Sequence, residues 1–207
     1  MSDNVENVRK IVEALKARGE IFCTAESCTG GQISKTVTDL AGVSAVFCGG
    51  IVSYSNEIKE ALLGVCHKTL EKYGAVSEQT AAEMATGAIK ALGADFSVAV
   101  TGIAGPDGGS EKKPVGLVYI ACADKKGNVT AAKNLFSGDR KSVRDKTTET
   151  ALQMLADFVG SEKRFAKNVY NFVDNGENSI LFHKSHKGGL GWRKPKAKYF
   201  LRTHFRI

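Results

Sequence analysis

The regular exchange of short apolar runs with helical spacings through residues 5–158 constrains this chain more than any other feature. Val5, Val8, Ile11, Val12 and Leu15 recur at three- and four-residue intervals, which is one face of a helix, and Gly19 stops it. Ile21-Phe22-Cys23-Thr24-Ala25 then reads as a short buried strand, Glu26 to Gly31 as a turn, and Ile33, Val37 and Leu40 restore helical spacing. A second strand is expected from Phe47 to Tyr54, and Ser55-Asn56-Glu57 opens a short helix ending at Leu63. Ser77 is the natural N-cap of a helix whose stripe is Ala81, Met84, Ala85, Ala88, Ile89 and Leu92. Phe96 to Thr101 is a buried strand that runs into the glycine-rich segment 102–109. Strands near Val115–Ala123 and Val129–Phe136 follow, joined by the hairpin sequence Lys125-Lys126-Gly127-Asn128, and a last helix runs from about Arg140 to Phe158. Strand–helix alternation followed by a hairpin specifies an α/β protein, here a three-layer α/β/α sandwich on a mixed sheet.

The charge is uneven along the chain. Of 29 Lys and Arg, 11 fall between Lys163 and Arg206, against only Asp174 and Glu177 of the 22 acidic residues, so the tail carries +9 and residues 1–162 carry −2. The basic balance therefore says nothing about the function of residues 1–162, and a nucleic-acid or membrane-surface contact is expected only through the tail. Residues 163–207 lack a sustained period, and are expected to be a basic extension that is disordered or docks on a partner. No apolar stretch approaches the roughly 20 residues of a membrane span, and the N-terminus lacks the pattern of a signal peptide, so a soluble cytoplasmic protein is expected. The five Cys are scattered without a C-x-x-C pair, which reads as reduced thiols rather than a disulfide or zinc framework.

Several familiar chemistries are missing. There is no G-x-x-x-x-G-K-[ST] phosphate loop, and the glycines of 102–109 precede a strand rather than a helix, which excludes the dinucleotide fingerprint. His67 is the only histidine in residues 1–162, and no metal-binding His cluster exists there. A hydrolytic site therefore needs another base, and lysine is the alternative: burial can lower its pKa until a neutral amine activates a serine hydroxyl. Ser27 follows a buried strand and precedes Gly30-Gly31 at a helix start, where free N–H groups can hold an oxyanion. Other readings stand beside these. Ser27 is equally suited to helix capping, Lys59 to a solvated helix face, Tyr54 to an ordinary strand position, Arg140 and Arg144 to surface charge, and Cys28 to a packed thiol.

Five blocks in order carry a family resemblance: Thr24-Ala25-Glu26-Ser27-Cys28-Thr29-Gly30-Gly31, Gly50 to Lys59, Gly74-Ala75-Val76-Ser77-Glu78, Thr101 to Gly109, and Lys113-Pro114-Val115-Gly116. Over residues 5–160 the chain resembles the CinA C-terminal domain family, named for competence/damage-inducible proteins. Phe136 to Arg140, with Arg144, opens the final helix as in that family. The resemblance implies an amidohydrolase that converts nicotinamide mononucleotide to nicotinate mononucleotide and ammonia in pyridine-nucleotide (NAD) salvage, without metal or cofactor. It implies Ser27 as nucleophile, Lys59 as general base and Tyr54 as an assisting hydroxyl. Thr29, Gly30 and Gly31 are the expected oxyanion donors. Thr101, Gly102, Ala104, Gly105, Lys113 and Arg140 are the expected substrate contacts, with the phosphate assigned to the 102–109 loop, Lys113 or Arg140. Residues 1–162 are the expected amidohydrolase domain, in its stand-alone form, and the family implies a homo-oligomer. The alternative is an inactive relative that binds a nucleotide or a protein.

Overall fold

The computed structural model describes residues 3–160 together with two short strands, Phe172–Asp174 and Ile180–Phe182, which pair antiparallel. The expectation for the remainder of the 163–207 extension falls outside the described residues. Among those residues, no helix is long and apolar enough to cross a membrane.

The chain runs α1 (Asp3–Arg18), β1 (Phe22–Glu26), α2 (Gln32–Thr38), β2 (Phe47–Val52), α3 (Asn56–Leu63), α4 (His67–Tyr73), α5 (Glu78–Leu92), β3 (Phe96–Gly102), β4 (Leu117–Asp124), β5 (Val129–Leu135) and α6 (Arg140–Gly160). The main sheet has strand order β2-β1-β3-β4-β5. β1 pairs parallel with β2 and with β3, while β4 pairs antiparallel with β3 and with β5. The sheet is mixed, as the hairpin sequence requires.

Two cores flank it, because successive strand residues face opposite ways. On one face Phe96, Val98 and Val100 of β3 pack with Ile11 and Leu15 of α1, Ile33 of α2 and Leu152 of α6. On the other face Ala25, Ala99, Ala121 and Ala123 meet Leu63 of α3 and Ala81, Met84 and Ala88 of α5. The small alanine side chains allow α5 to lie close to the sheet. This is the α/β/α sandwich expected from the sequence.

Helix α4 is the element that sequence patterning does not announce. Its N-cap residue, Cys66, contributes no side-chain cap. The cap comes instead from Glu83 of α5, whose carboxylate accepts from Cys66 N–H at 2.8 Å and from Thr69 Oγ1 at 2.7 Å.

β1 lies between the two strands it parallels. The connection after β1 passes through α2 on one face, and the connection after β2 passes through α3–α5 on the other. That reversal opens a crevice at the C-terminal ends of β1, β2 and β3, the position where open α/β sheets place their ligands.

Candidate active site

The turn after β1 carries Ser27, which is 8% exposed. Its conformation is fixed by the residue before it. The carboxylate of Glu26, fully buried, accepts hydrogen bonds from Thr29 Oγ1 (2.8 Å), Gly31 N–H (3.0 Å), Ile33 N–H (3.0 Å), Ser34 N–H (2.8 Å) and Ser34 Oγ (2.7 Å). An internal anion thus fills the start of α2, which has Gly31 in the left-handed region and no side-chain cap of its own. The Ser27 hydroxyl is spared from capping and faces Lys59.

Lys59 sits on α3, where Ser55 caps the helix by accepting from Ile58 N–H at 3.3 Å. The helix turns Lys59 inward, so that it is 1% exposed rather than solvated. Its Nζ lies 3.2 Å from Ser27 Oγ, and donates to the carbonyls of Ser53 at 2.8 Å and Tyr54 at 3.4 Å. Burial pushes this amine below the ordinary lysine range; the Cys28 thiol and the Glu57 carboxylate pull weakly the other way. β2 ends at Val52 instead of continuing to Tyr54, and this early departure delivers both carbonyls to the amine. Ser53 is tied back by its N–H, which donates to Glu26 C=O at 2.8 Å. Glu26 therefore braces both sides of the Ser–Lys pair. The sequence contained Glu26 and Ser53 without signalling either role, because each acts through hydrogen bonds made only in the assembled crevice.

The pair opens into a pocket of about 210 Å³ whose walls include Cys28, Tyr54, Thr101, Gly102, Ala104 and Arg140. Thr101 Oγ1 donates to Ala75 C=O at 2.8 Å. Tyr54 is 63% exposed at the pocket mouth, and its hydroxyl accepts from Arg140 Nη2 at 3.4 Å, while Arg140 Nη1 donates to Gly105 C=O at 2.8 Å. Arg144 reaches the turn after β1 from α6 and donates to Thr29 C=O at 2.6 Å.

Four expected contacts are placed elsewhere. Gly30 N–H is consumed by Ser27 C=O at 3.1 Å and Gly31 N–H by Glu26, so neither is free for an oxyanion. Thr29 is fully buried with its hydroxyl on Glu26. Lys113 donates to Tyr73 C=O at 2.6 Å and does not line the pocket. Cys28 is the packed thiol expected: burial pushes it up to about 11, too high for a thiolate nucleophile near neutral pH. His67 lies on α4 against Glu60 and Glu71, outside the residues that line the pocket.

The chain is similar to proteins of known sequence and structure. The nicotinamide-nucleotide amidohydrolase PncC of Escherichia coli K12 is 51% identical over 154 residues, which is 74% of this chain and 93% of that protein. The PncC of Enterobacter agglomerans is 56% identical over 144 residues, covering 70% of this chain and 88% of its own. Among solved structures, the competence/damage inducible protein CihA of Agrobacterium tumefaciens superposes with a TM-score of 0.73 at 47% identity, covering 75% of this chain and 94% of that one. The competence damage-inducible protein A of Klebsiella pneumoniae gives 0.74 at 34% identity, covering 78% and 100%. The CinA C-terminal domain profile matches residues 5–159, the whole of the sandwich that builds the crevice, and the chain belongs to that family.

Proposed function

We propose that this chain is an amidohydrolase that deamidates nicotinamide mononucleotide to nicotinate mononucleotide and ammonia, in pyridine-nucleotide salvage, through Ser27 and Lys59. The observation that carries the proposal is the 3.2 Å approach of a buried, pKa-lowered amine to a serine hydroxyl inside a pocket. The names of the relatives supply the substrate class.

A neutral Lys59 has two N–H groups and one lone pair. The carbonyls of Ser53 and Tyr54 take the two hydrogens, which aims the lone pair at Ser27 Oγ. Lys59 accepts the hydroxyl proton as Oγ attacks the carboxamide carbon. The N–H of Cys28, the residue after the nucleophile, is the oxyanion donor in place of Gly30 and Gly31. Collapse of the tetrahedral intermediate breaks the C–N bond, and the proton held on Lys59 passes to the departing nitrogen, releasing ammonia. Water then cleaves the acyl ester with Lys59 again as base, yielding the carboxylate and restoring Ser27. Tyr54 assists at the mouth, its hydroxyl oriented by Arg140. Thr101, Gly102 and Ala104 shape the substrate side, and Gly105, which does not line the pocket, holds Arg140 there through its carbonyl. The reaction consumes only water, and no cofactor or metal is assigned.

The catalytic unit is residues 1–162, with 163–207 as an appended basic extension. The free thiols suit a cytoplasmic location, and a homo-oligomer is part of the same reading, which light scattering tests. The deciding experiment is ammonia release from nicotinamide mononucleotide by purified protein in the presence of a chelator. Ser27→Ala and Lys59→Ala should each lower kcat/KM by at least about 10³-fold. Full activity in either variant removes that residue from the chemistry; substrate binding without ammonia release would identify a binding module.

A further inference from the structure

Two segments far apart in sequence wall the pocket that holds Ser27 and Lys59. The turn between α4 and α5 supplies Ala75 and Val76, and the connection from β3 to β4 supplies Ala104. Three successive carbonyls of the turn are each captured by side chains. Gly74 C=O accepts from Ser77 Oγ at 3.0 Å and from Thr80 Oγ1 at 2.9 Å, both at the start of α5. Ala75 C=O accepts from Thr101 Oγ1 of β3 at 2.8 Å. Tyr73 C=O, the last of α4, accepts from Lys113 Nζ at 2.6 Å, a cation placed on a helix C-terminal carbonyl. The amine lies directly over the turn, since a Cβ on Gly74 would fall 2.9 Å from it. Of these side chains only Lys113 belongs to the β3–β4 connection.

That connection is folded tightly on itself. Its neck is closed by Ile103 N–H on Leu117 C=O at 2.9 Å and by Gly116 N–H on Ile103 C=O at 2.8 Å. Its tip is closed by Ser110 N–H on Lys113 C=O at 2.8 Å and by Lys113 N–H on Ser110 Oγ at 3.1 Å. Between neck and tip there is no space to spare: a Cβ on Gly105 would fall 2.6 Å from Val115 Cγ1. A segment packed this closely transmits displacement, so what restrains Lys113 also restrains Ala104 and the Gly105 carbonyl that holds Arg140.

We propose that Lys113 is a positioning residue, which latches the β3–β4 connection onto the α4–α5 turn and thereby fixes the width of the pocket for the planar, carboxamide-bearing ring of the substrate. The proposal rests on the amidohydrolase reading and adds a residue that acts on the substrate without touching it. Ala75, Val76 and Ala104 offer the ring dispersion contacts, and a gap of about 0.5–1 Å forfeits a quarter to a half of such a contact. Ser27 and Lys59 are braced separately, through Glu26. Loosening the latch therefore weakens ground-state binding and leaves the chemical step in place.

The test uses the full chain as wild type, Lys113→Met, which keeps the stem without the donor, and Lys113→Arg, which keeps a donor. With nicotinamide mononucleotide, Lys113→Met should raise KM about three- to tenfold with kcat within about twofold of wild type, and Lys113→Arg should return KM to within about twofold. Hydrogen exchange in the substrate-free protein supplies a readout independent of turnover: peptides spanning 73–77 and 103–113 should exchange faster in Lys113→Met and at the wild-type rate in Lys113→Arg. A raised KM with unaltered exchange in 73–77 would make Lys113 a direct substrate contact and overturn the latch. An unchanged KM overturns it as well. If wild type releases no ammonia while exchange responds as expected, the amidohydrolase reading fails and the latch between the two walls stands.

Discussion

On the proposed mechanism, the protonation state of Lys59 sets the pH range in which Ser27 can be activated. Its folded pKa lies below the ordinary 10.5, and only the free base can accept a proton. kcat/KM should therefore rise with pH through the lowered pKa and level off above it, and Lys59→Arg should be inactive throughout because a guanidinium does not deprotonate in this range. A profile without that acid limb would show that another group is the base. The same shift has a stability sign. Between the lowered pKa and 10.5 the unfolded chain binds a proton that the native chain does not, so this group's contribution to stability increases with pH across that window. Glu26 tests a different residue-scale claim. Glu26→Ala strands several buried donors at once, each costing on the order of 1–3 kcal/mol, so thermal denaturation should show a loss of about 3 kcal/mol or more. Glu26→Gln keeps the shape but offers one acceptor oxygen; it should lower kcat more than it raises KM, because the nucleophile turn is misplaced while the substrate walls remain.

Helix α3 brings Lys59 to Ser27, and its seat depends on one glycine of α5. A Cβ on Gly87 would fall 1.8 Å from Leu63 C=O, the last residue of α3. Helix propensity alone favours Ala over Gly by about 1 kcal/mol, but here the clash wins. Gly87→Ala is expected to destabilise the fold by about 1–3 kcal/mol in denaturant melts and to lower kcat, since α3 must move away and carry Lys59 with it. Unchanged stability and rate would mean the two helices yield freely. At this scale most of the architecture was legible: the caps Ser55 and Ser77, the hairpin and the helical stripes are local signals. The end of β2 and the existence of α4 were not, because one is set by Lys59 drawing in two carbonyls and the other by a cap from a distant helix.

Across the whole molecule, the crevice that holds Ser27 and Lys59 is built from elements between α1 and α6. The sandwich from α1 to α6 coincides with the matched family region, and the +9 extension follows it. Truncation after Gly160 is expected to leave the melting temperature and nucleotide deamidation within about twofold of the full chain while lowering the isoelectric point; an insoluble or inactive product would make the extension part of the domain. The sequence by itself determined the α/β class and the mixed sheet and singled out Ser27 and Lys59 as candidates, because hydrophobic period, turn residues and ordered family blocks are properties of neighbours along the chain. Only the tertiary structure decided that Gly30 and Gly31 are spent, that Lys113 points elsewhere, that Glu26 braces both halves of the pair and that Arg144 reaches the turn after β1. Those outcomes are hydrogen bonds and approaches between elements, and a linear pattern carries no record of which donor meets which acceptor once strands and helices are stacked.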